Sequence, residues 1–483
     1  MTKKYFIRIT LLGALLIFSI LPGINYITDP TRVLHHDYEN RYEKFHPNKL
    51  FLKVLYLLDN KDKHDTLVYG SSRGGFVDVR LISEKAFNMS HGFGNISTYL
   101  HSLKVLLEND VKVKNVWIAI NDYDIWKNNQ QTIDKLLHKG NFVDNIPVYA
   151  DWLFRKTSLT NIKILKGEMP LIASEYITDT SKRIERARIQ EKNLSKFKKR
   201  NIPAATLGYS TIFRINEVIN EMNEIKRLCE ENEIKLTVFM YPIYYETYLA
   251  YDQTKIEEFK RKLTAILDFY DFYALDDIAI DQTNWFEGSH FAPSVGDYMI
   301  QNIQKNNFLI TSENIHSRIK RTRTLAKKNA PLLLIDNVHT LHSDLELNTS
   351  KTIFDIYVNF EYYKNDQFSL KKDSLNFNVI VKEEDPYFIL NTTQTQSKLT
   401  LLTFDIHSKE ESVFQLYLKD TKKANYSEGN RFKIPIKKGI NHFKLVIPGK
   451  YVNNGLRVDF TKTVGTYKIN QFIIQDIEEI PKI

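Results

Sequence analysis

The hydrophobic positions of the chain follow two different patterns on either side of residue 330. Between residues 60 and 310, short runs of β-branched and aromatic residues alternate with stretches whose apolar residues recur at helical spacing. This alternation predicts an α/β domain in which helices flank a parallel sheet. The predicted strands are Thr66–Tyr69, Ala86–Met89, Asn115–Ile120, Leu236–Tyr241 and Phe272–Leu275.

Beyond residue 335 the apolar residues alternate in short runs, and turn residues separate the runs. No long helical pattern intervenes, so residues 335–483 are predicted to form an all-β sandwich or jelly roll. The predicted strands are Phe354–Phe360, Leu375–Val381, Leu399–Ile406, Val413–Leu418, His442–Ile447, Leu456–Phe460 and Tyr467–Ile474.

Two basic segments interrupt these patterns. The α/β rhythm is lost over residues 150–209, where Lys182–Arg200 contains nine Lys and Arg residues. A solvated helical insertion is one interpretation, and a basic lip that attracts an anionic polymer to the site is the other. Residues 316–334 are also dense in Arg and Lys and are predicted to be a linker. The α/β domain is therefore expected over residues 28–315.

The N-terminal 27 residues have the pattern of a membrane anchor. Lys3, Lys4 and Arg8 precede a mostly apolar stretch from Ile9 to Ile27, which is roughly long enough to span a bilayer. The preceding positive charges predict a cytoplasmic N-terminus and an exported remainder of the chain. A cleaved signal peptide is the alternative.

Composition narrows the functional classes. The 483 residues carry a net charge of +9, which suits nucleic acid, an anionic membrane surface or an acidic polymer. Zinc-finger spacing and a P-loop are absent from the sequence, so we predict no nucleic-acid partner, and we predict no metal or cofactor. The single cysteine, Cys229, lies on an apolar helical face and is predicted to pack in the core.

Residues with catalytic potential follow the predicted strands. Gly70-Ser71-Ser72 ends the first strand, and open α/β sheets place their sites at this carboxyl edge. A serine hydroxyl needs a base to take its proton before it can act as a nucleophile. The sequence offers candidates for the remaining parts in the loops after later strands, namely Gly92, Gly94, Asn121, Glu287 and His290.

Four sequence blocks contain these residues, and in chain order they resemble the motifs of the SGNH hydrolase superfamily. They read Gly70-Ser71-Ser72, Asn88–Gly94, Ile118–Asp122 and Glu287-Gly-Ser-His290. The resemblance implies that Ser72, rather than Ser71, is the nucleophile and that His290 is the base. Glu287 takes the place of the family's usual aspartate, and Asp281 is the rival acid. Asn121 and the glycine loop, through Gly92 or Gly94, would supply the oxyanion hole.

The resemblance is greatest to membrane-anchored proteins that modify exported polysaccharides, such as alginate O-acetyltransferases and teichoic-acid D-alanyl transfer proteins. It implies a single-pass protein of the inner membrane with its folded domains on the periplasmic or extracellular side. The C-terminal sandwich resembles a carbohydrate-binding module. The expected activity is O-acetyl transfer to a polysaccharide through a serine acyl-enzyme, with acyl groups delivered by a membrane-bound partner.

Alternatives remain open from the sequence. The same residues serve a carbohydrate esterase if water replaces the sugar hydroxyl, and a non-catalytic glycan-binding assembly factor is the third hypothesis. Arg73 is a candidate for holding an anionic substrate, although pairing with a neighbouring acid is an equal alternative. Trp285 is a candidate sugar platform or a core residue.

Overall fold

A computed structural model describes residues 19–478 with short gaps. The gaps are residues 127–136, 198–212, 252, 334–337, 342–346, 361, 365–366, 374–375, 384–385, 391, 429 and 462. The predicted anchor therefore lies largely outside the described residues, of which 19–28 are helical. Within the described residues, no helix is both long enough and apolar enough to cross a membrane.

The first part of the chain is built on a six-stranded sheet in the order β3-β2-β4-β6-β7-β8. The first five of these are mutually parallel, and only β8 is antiparallel to its neighbour. The bounds of β2 and β4 match the sequence prediction. The strands of this part are β1 (Asn40–Tyr42), β2 (Thr66–Tyr69), β3 (Ala86–Asn88), β4 (Asn115–Ile120), β5 (Leu171–Ala173), β6 (Lys235–Met240), β7 (Phe269–Asp271) and β8 (Leu309–Ile310).

Helices flank the sheet. They are α1 (Lys49–Asp59), α2 (Ile96–Glu108), α3 (Phe142–Leu153), α4 (Leu159–Leu165), α5 (Thr180–Glu191), α6 (Ile215–Glu231), α7 (Tyr245–Ala250), α8 (Gln253–Thr264), α9 (Asp277–Ile280), α10 (Pro293–Gln304) and α11 (Ile315–Leu333). Asn95 caps α2 through a reciprocal pair of hydrogen bonds with Thr98. The Ser97 hydroxyl, in the first turn of the helix, donates to Glu221 at 2.8 Å.

Two sequence predictions in this part are wrong. The last parallel strand is β7, and the predicted strand Phe272–Leu275 lies just beyond it; those four residues are buried, so burial alone explains their apolar run. The predicted linker 316–334 is mostly helix α11, which is held to the domain by an ion pair from Arg318 to buried Asp271 at 3.2 Å. Two of its basic residues, Arg318 and Arg323, have acidic partners that are distant in sequence, Asp271 and Glu257.

The second part of the chain is an antiparallel β-sandwich. Eight strands form one sheet and four form the other. The strands are β9 (His339–Leu341), β10 (Thr349–Asp355), β11 (Tyr362–Lys364), β12 (Phe368–Asp373), β13 (Asn376–Val381), β14 (Phe388–Leu390), β15 (Leu399–Ser408), β16 (Ser412–Tyr417), β17 (Arg431–Ile436), β18 (Gly439–Pro448), β19 (Leu456–Asp459) and β20 (Gly465–Ile477), with short helices α12 (Ile356–Asn359) and α13 (Gly449–Asn454).

The sandwich has its own core but also packs on the α/β part. Phe404, Phe414, Phe460 and Phe472 stack between the two sheets of the sandwich. The opposite face, with Leu399, Leu401, Val446 and Ile477, joins the core of the α/β part instead. The start of β15 is consequently buried on both faces, which explains the nearly continuous apolar run at its beginning.

Candidate active site

The end of β2 turns sharply into a short 3₁₀ helix, Ser72–Phe76. Ser71 caps this helix, because its hydroxyl accepts from the Arg73 backbone N–H at 3.3 Å. Ser72 thus occupies the first helical position, at the carboxyl edge of the sheet. The turn has no room for side chains at its glycines: a Cβ on Gly70 would lie 2.5 Å from the Tyr241 hydroxyl, and one on Gly74 would overlap Ser90.

His290 meets Ser72 across 218 positions of sequence. Its Nε2 lies 2.7 Å from Ser72 Oγ, while its Nδ1 is hydrogen-bonded to the Glu287 carboxylate. Because the carboxylate can only accept, Nδ1 carries the proton and Nε2 is left as the acceptor for the Ser72 hydroxyl. The His290 ring also packs edge-on against Phe76, with centroids 5.5 Å apart.

The loop that carries Glu287 and His290 is closed on itself. Trp285 and Phe291 form an antiparallel bridge, and the Phe286 N–H donates to the His290 carbonyl at 2.8 Å. Thr247 of α7 donates its hydroxyl to the Gly288 carbonyl at 3.0 Å, which ties the tip of the loop to the domain. The loop therefore positions acid and base together.

Trp285 does not form a sugar platform. Its side chain is fully buried, and its Nε1 donates to the Ile278 carbonyl at 2.9 Å. An indole with no exposed face cannot stack on a ligand, so Trp285 anchors the loop that carries Glu287 and His290 from inside the core.

The Glu287 carboxylate is held ionised by its neighbours. Burial on its own would raise its pKa, but hydrogen bonds from His290 and Ser289 and the charge of His290 lower the pKa to about 2. The Ser289 hydroxyl donates to Glu287 Oε1 at 2.5 Å. The rival acid, Asp281, instead caps the 3₁₀ turn Gln282–Asn284 by accepting from the Thr283 N–H at 2.9 Å. It has no hydrogen bond to His290.

The glycine loop and Asn121 reach the same edge of the sheet, but two of their donors are already hydrogen-bonded. Asn121 is fully buried, and its Nδ2 donates to the Gly94 carbonyl at 3.2 Å and to Asp124 at 3.1 Å. The Gly94 N–H donates to the His91 carbonyl at 3.2 Å, and Gly92 lies exposed at the loop surface. The donors of Asn121 and Gly94 are therefore bonded to groups other than Ser72 in this structure.

Another hydrogen-bond donor lies next to the Ser72 hydroxyl. Within the described residues, the backbone N–H of Ser72 itself has no hydrogen-bond acceptor, as expected at the first position of a helix. The sequence contains a signal for this donor, because a serine at the first position of a helix has a backbone N–H without an intrahelical acceptor next to its own hydroxyl.

Arg73 is not available as a substrate-binding group. Its guanidinium is buried and forms an ion pair with Asp122, whose carboxylate lies after β4. Burial disfavours the charge, but Asp122 outweighs it and raises the pKa of Arg73 further above its already high value. The pair connects the end of β2 to the end of β4 and so fixes the floor of the site.

A cavity of about 630 Å³ opens beside the loop that carries Glu287 and His290. Its lining includes Arg183 of α5, which belongs to the basic segment Lys182–Arg200. Among the described residues, no group of three or more His, Cys, Asp and Glu side chains is arranged to hold a metal ion. The cavity is lined by Phe76, Arg183, Gln190, Asn193, Leu194, Phe286, Glu287 and His290.

Comparisons with known proteins assign no family. No protein-family model matches the chain, and no curated protein does. Among solved structures, BiXyn10A CBM1 in its apo form is similar at 11% identity over 26% of this chain and 99% of its own, with a TM-score of 0.21. The enzymatically active domain of bacteriophage CBA120 tailspike protein 4 matches at 15% identity over 30% of this chain and 20% of its own, with a TM-score of 0.17.

The capsular polysaccharide assembling protein CapF from Staphylococcus aureus matches at 9% identity over 84% of this chain and 96% of its own, with a TM-score of 0.15. Identities and TM-scores this low bear on neither the function nor the substrate of the chain.

Proposed function

We propose that the protein is a serine O-acyltransferase that transfers acyl groups, in particular acetyl, to an exported or cell-surface polysaccharide. The observation that carries this proposal is the chain of hydrogen bonds from Ser72 through His290 to Glu287. A hydroxyl paired with an imidazole whose other nitrogen is held by a carboxylate is the arrangement that acyl transfer requires. The resemblance of the motif order to SGNH hydrolases points to the same chemistry.

The first half-reaction makes an acyl-enzyme. Ser72 Oγ attacks the acyl carbonyl of the donor as His290 Nε2 takes the hydroxyl proton, and Glu287 stabilises the imidazolium that forms. The backbone N–H of Ser72 donates to the developing oxyanion, and Asn121 or a glycine-loop N–H would join it after a small rearrangement on substrate binding. The tetrahedral intermediate collapses, and His290 returns the proton to the departing group.

The second half-reaction releases the acyl group. A sugar hydroxyl gives its proton to His290 and attacks the acyl-serine carbonyl. When the intermediate collapses, the bond to Ser72 Oγ breaks and His290 returns the proton to that oxygen, which leaves an O-acyl sugar and free Ser72. If water attacks instead, the enzyme is a carbohydrate esterase. The esterase candidate has one observation in its favour, since the His290 side chain is 27% exposed and so accessible to water.

The remainder of the chain suits this role. We propose that residues 1–27 anchor the protein in the inner membrane with the folded domains outside, where a membrane-bound partner supplies acyl groups. The β-sandwich would hold the polysaccharide near the site with weak affinity.

Intact-mass spectrometry tests the proposal. Brief incubation with p-nitrophenyl acetate should add one acetyl group to the wild-type protein and none to Ser72→Ala, with turnover lowered by several orders of magnitude in the variant. Ser71→Ala is the matched control, because it removes a helix cap worth about 1 kcal/mol and no nucleophile. It should melt earlier yet still be acetylated. An adduct that persists in Ser72→Ala and vanishes in Ser71→Ala would move the nucleophile to Ser71.

Adding neutral and acidic oligosaccharides to the acetylated enzyme then separates the two candidates. Acetyl groups that appear on sugar, at a rate above release of free acetate, support the transferase. Acetate as the sole product with every sugar supports the esterase.

A further inference from the structure

Three cations surround one aromatic ring, and one of them, Arg183, lines the cavity. Lys49 Nζ lies 3.8 Å from the centroid of the Tyr176 ring, Arg183 Cζ lies 4.9 Å from it, and Arg41 Cζ lies 5.6 Å from it. They come from three elements, since Arg41 is in β1, Lys49 begins α1 and Arg183 is in α5. Tyr176 therefore lies at the centre of a positively charged cluster.

The cluster contains no acid. In the described part of the chain, none of its three cations forms an ion pair with a carboxylate. Other arginines of the same helix do, since Arg186 pairs with Glu175 at 2.6 Å and Arg188 with Asp297 at 2.8 Å. The absence of an acid is thus a property of the cluster and not of α5 as a whole.

Arg41 has unused hydrogen-bonding capacity in a buried position. Its residue exposure is only 8%, and its Nε has no hydrogen-bond partner among the described residues. Its Nη1 reaches the Tyr42 carbonyl at a long 3.5 Å. A buried guanidinium nitrogen without an acceptor is costly, and an anionic oxygen would satisfy it.

Two further basic side chains lie beside the cluster. His46 packs edge-on against Tyr176, and buried Lys53 lies one turn along α1, where its Nζ donates to the Asn88 and Ser90 carbonyls. Lys49 is also the first residue of α1, where the helix dipole is positive. Burial, together with Arg183 and Arg41, lowers the pKa of Lys49 to about 7. A bound anion would relieve this mutual repulsion and restore the charge on Lys49.

The cluster is connected to the catalytic residues through Arg183. Its guanidinium lies 5.0 Å from the centroid of the Phe76 ring, which itself packs on His290. A Cβ added to Gly75, three residues after Ser72, would overlap that guanidinium. Arg183 also lines the cavity together with Glu287 and His290. A ligand that occupies the cavity therefore contacts Arg183 of the cluster and the His290 imidazole that is hydrogen-bonded to Ser72.

We propose that Arg41, Lys49 and Arg183 bind an anionic group of the acceptor polysaccharide, a carboxylate or a phosphodiester, while a hydroxyl of the same chain reaches Ser72. A polymer with a charge on each repeat can place one anion in the cluster and a neighbouring sugar in the cavity. The proposal rests on the proposed function in identifying the ligand as a substrate. The site itself is independent of catalysis, and its test needs no turnover.

Binding is measured by isothermal titration calorimetry on full-length Ser72→Ala protein, which cannot consume the ligand. The probes are an oligogalacturonate for carboxylates, a poly(glycerol phosphate) oligomer for phosphodiesters and a malto-oligosaccharide of equal length as the neutral reference. At least one acidic probe should bind, and Arg183→Gln should weaken its affinity roughly 10- to 100-fold. The probe that binds more tightly identifies the anionic group.

Two further variants make the test specific to geometry. Lys182→Gln removes one positive charge from the same helix, but Lys182 is 63% exposed and paired with Asp179, so affinity should stay within about twofold. Gly75→Ala keeps every charge but displaces the Arg183 guanidinium, so it should weaken binding in the same direction as Arg183→Gln. Thermal melts verify that each variant is folded.

Several results would overturn the proposal. Equal affinity for the neutral and acidic probes would do so, as would failure of both acidic probes to bind the folded protein. Equal losses in Arg183→Gln and Lys182→Gln would reduce the effect to net charge. Acetyl-coenzyme A that binds through Arg183 while neither polymer binds would assign the cluster to an acyl donor. None of these results affects the acetyl-serine assay, so the two proposals fail separately.

Discussion

At the scale of single residues, the site depends on which hydrogen-bonding groups are already used. Ser72 Oγ and His290 Nε2 lie 2.7 Å apart. In contrast, the Asn121 side-chain amide donates to the Gly94 carbonyl, and the Gly94 N–H donates to the His91 carbonyl. Arg73 likewise forms an ion pair with Asp122, whereas Arg183 forms no ion pair with a carboxylate in the described part of the chain. Residue type alone does not show whether a polar group already has a hydrogen-bond or ion-pair partner. The sequence could therefore identify these residues as candidates, but it could not predict which of them remain available.

The carboxylate of Glu287 should control the rate. Glu287→Gln keeps the shape of the side chain but removes the acceptor that fixes the His290 tautomer, so kcat should fall roughly 10²- to 10⁴-fold. Glu287→Asp should recover part of the rate. Asp281→Asn is the control, because Asp281 caps a turn away from the imidazole. Steady-state kinetics on one activated ester would decide, and a severe loss in Asp281→Asn would transfer the role to Asp281.

The Glu287 carboxylate should also affect how the stability of the folded protein changes at low pH. Its pKa is about 2 in the folded protein, against about 4.3 for an unperturbed glutamate. A group with a depressed folded pKa stabilises the fold above its unfolded pKa, and this stabilisation is lost as the pH falls towards the folded pKa. The Tm difference between wild type and Glu287→Gln should therefore be constant near neutral pH and shrink as the pH falls below about 4.3. Calorimetry that finds no such change would argue against an ionised Glu287 carboxylate in the folded protein.

At the scale of secondary-structure elements, buried ion pairs fix helices that look solvated in the sequence. Asp271 at the end of β7 is fully buried and accepts from Lys260 of α8 at 2.8 Å and from Arg318 of α11 at 3.2 Å. One carboxylate thus connects two basic helices to the sheet. This contact makes the segment after residue 315 part of the α/β fold.

Asp271→Asn should destabilise the protein strongly, because it leaves two buried cations without their counter-charge. We expect a loss of about 3–5 kcal/mol in the free energy of unfolding, measured by urea denaturation. Arg323→Gln is a matched control on α11: its side chain is 58% exposed in its pair with Glu257, so the loss should be under about 1 kcal/mol. Similar small losses in both variants would mean that α11 is only loosely attached.

The sequence predicted elements well where local pattern and burial agree, and poorly where a distant partner decides. β2 and β4 have their predicted bounds because β-branched runs end there at polar or glycine residues. In contrast, no feature of the sequence around Arg318 indicates that this residue pairs with Asp271, which lies 47 positions earlier. The site follows the same rule. The motif order nominated Ser72, His290 and Glu287, but the burial of Trp285 and the unpaired charge of Arg183 exist only in three dimensions.

At the scale of the whole molecule, the two parts of the chain share apolar surface. Within β15, Leu402, Phe404 and Ile406 face the core of the sandwich, while Leu399 and Leu401 face the α/β part. The sandwich therefore has enough core to fold, yet one of its faces is built for a neighbour.

A fragment of residues 335–483 should accordingly fold but self-associate. Circular dichroism should report β-structure, and light scattering after size exclusion should show species larger than a monomer because the face around Leu401 and Val446 is uncovered. The double variant Leu401→Ser and Val446→Ser should be monomeric with its β-structure retained. A wild-type fragment that is monomeric at micromolar concentration would contradict the shared surface.

The 218 positions between Ser72 and His290 also have a consequence for synthesis. A ribosome that adds about 5–20 residues per second completes His290 between about 10 and 45 seconds after Ser72. Throughout that interval the nascent chain carries a serine with no base, which is as unreactive as any other. A chain that stalls or is cut anywhere before residue 290 is chemically silent on the proposed mechanism. The long separation therefore restricts reactivity to chains that extend beyond residue 290.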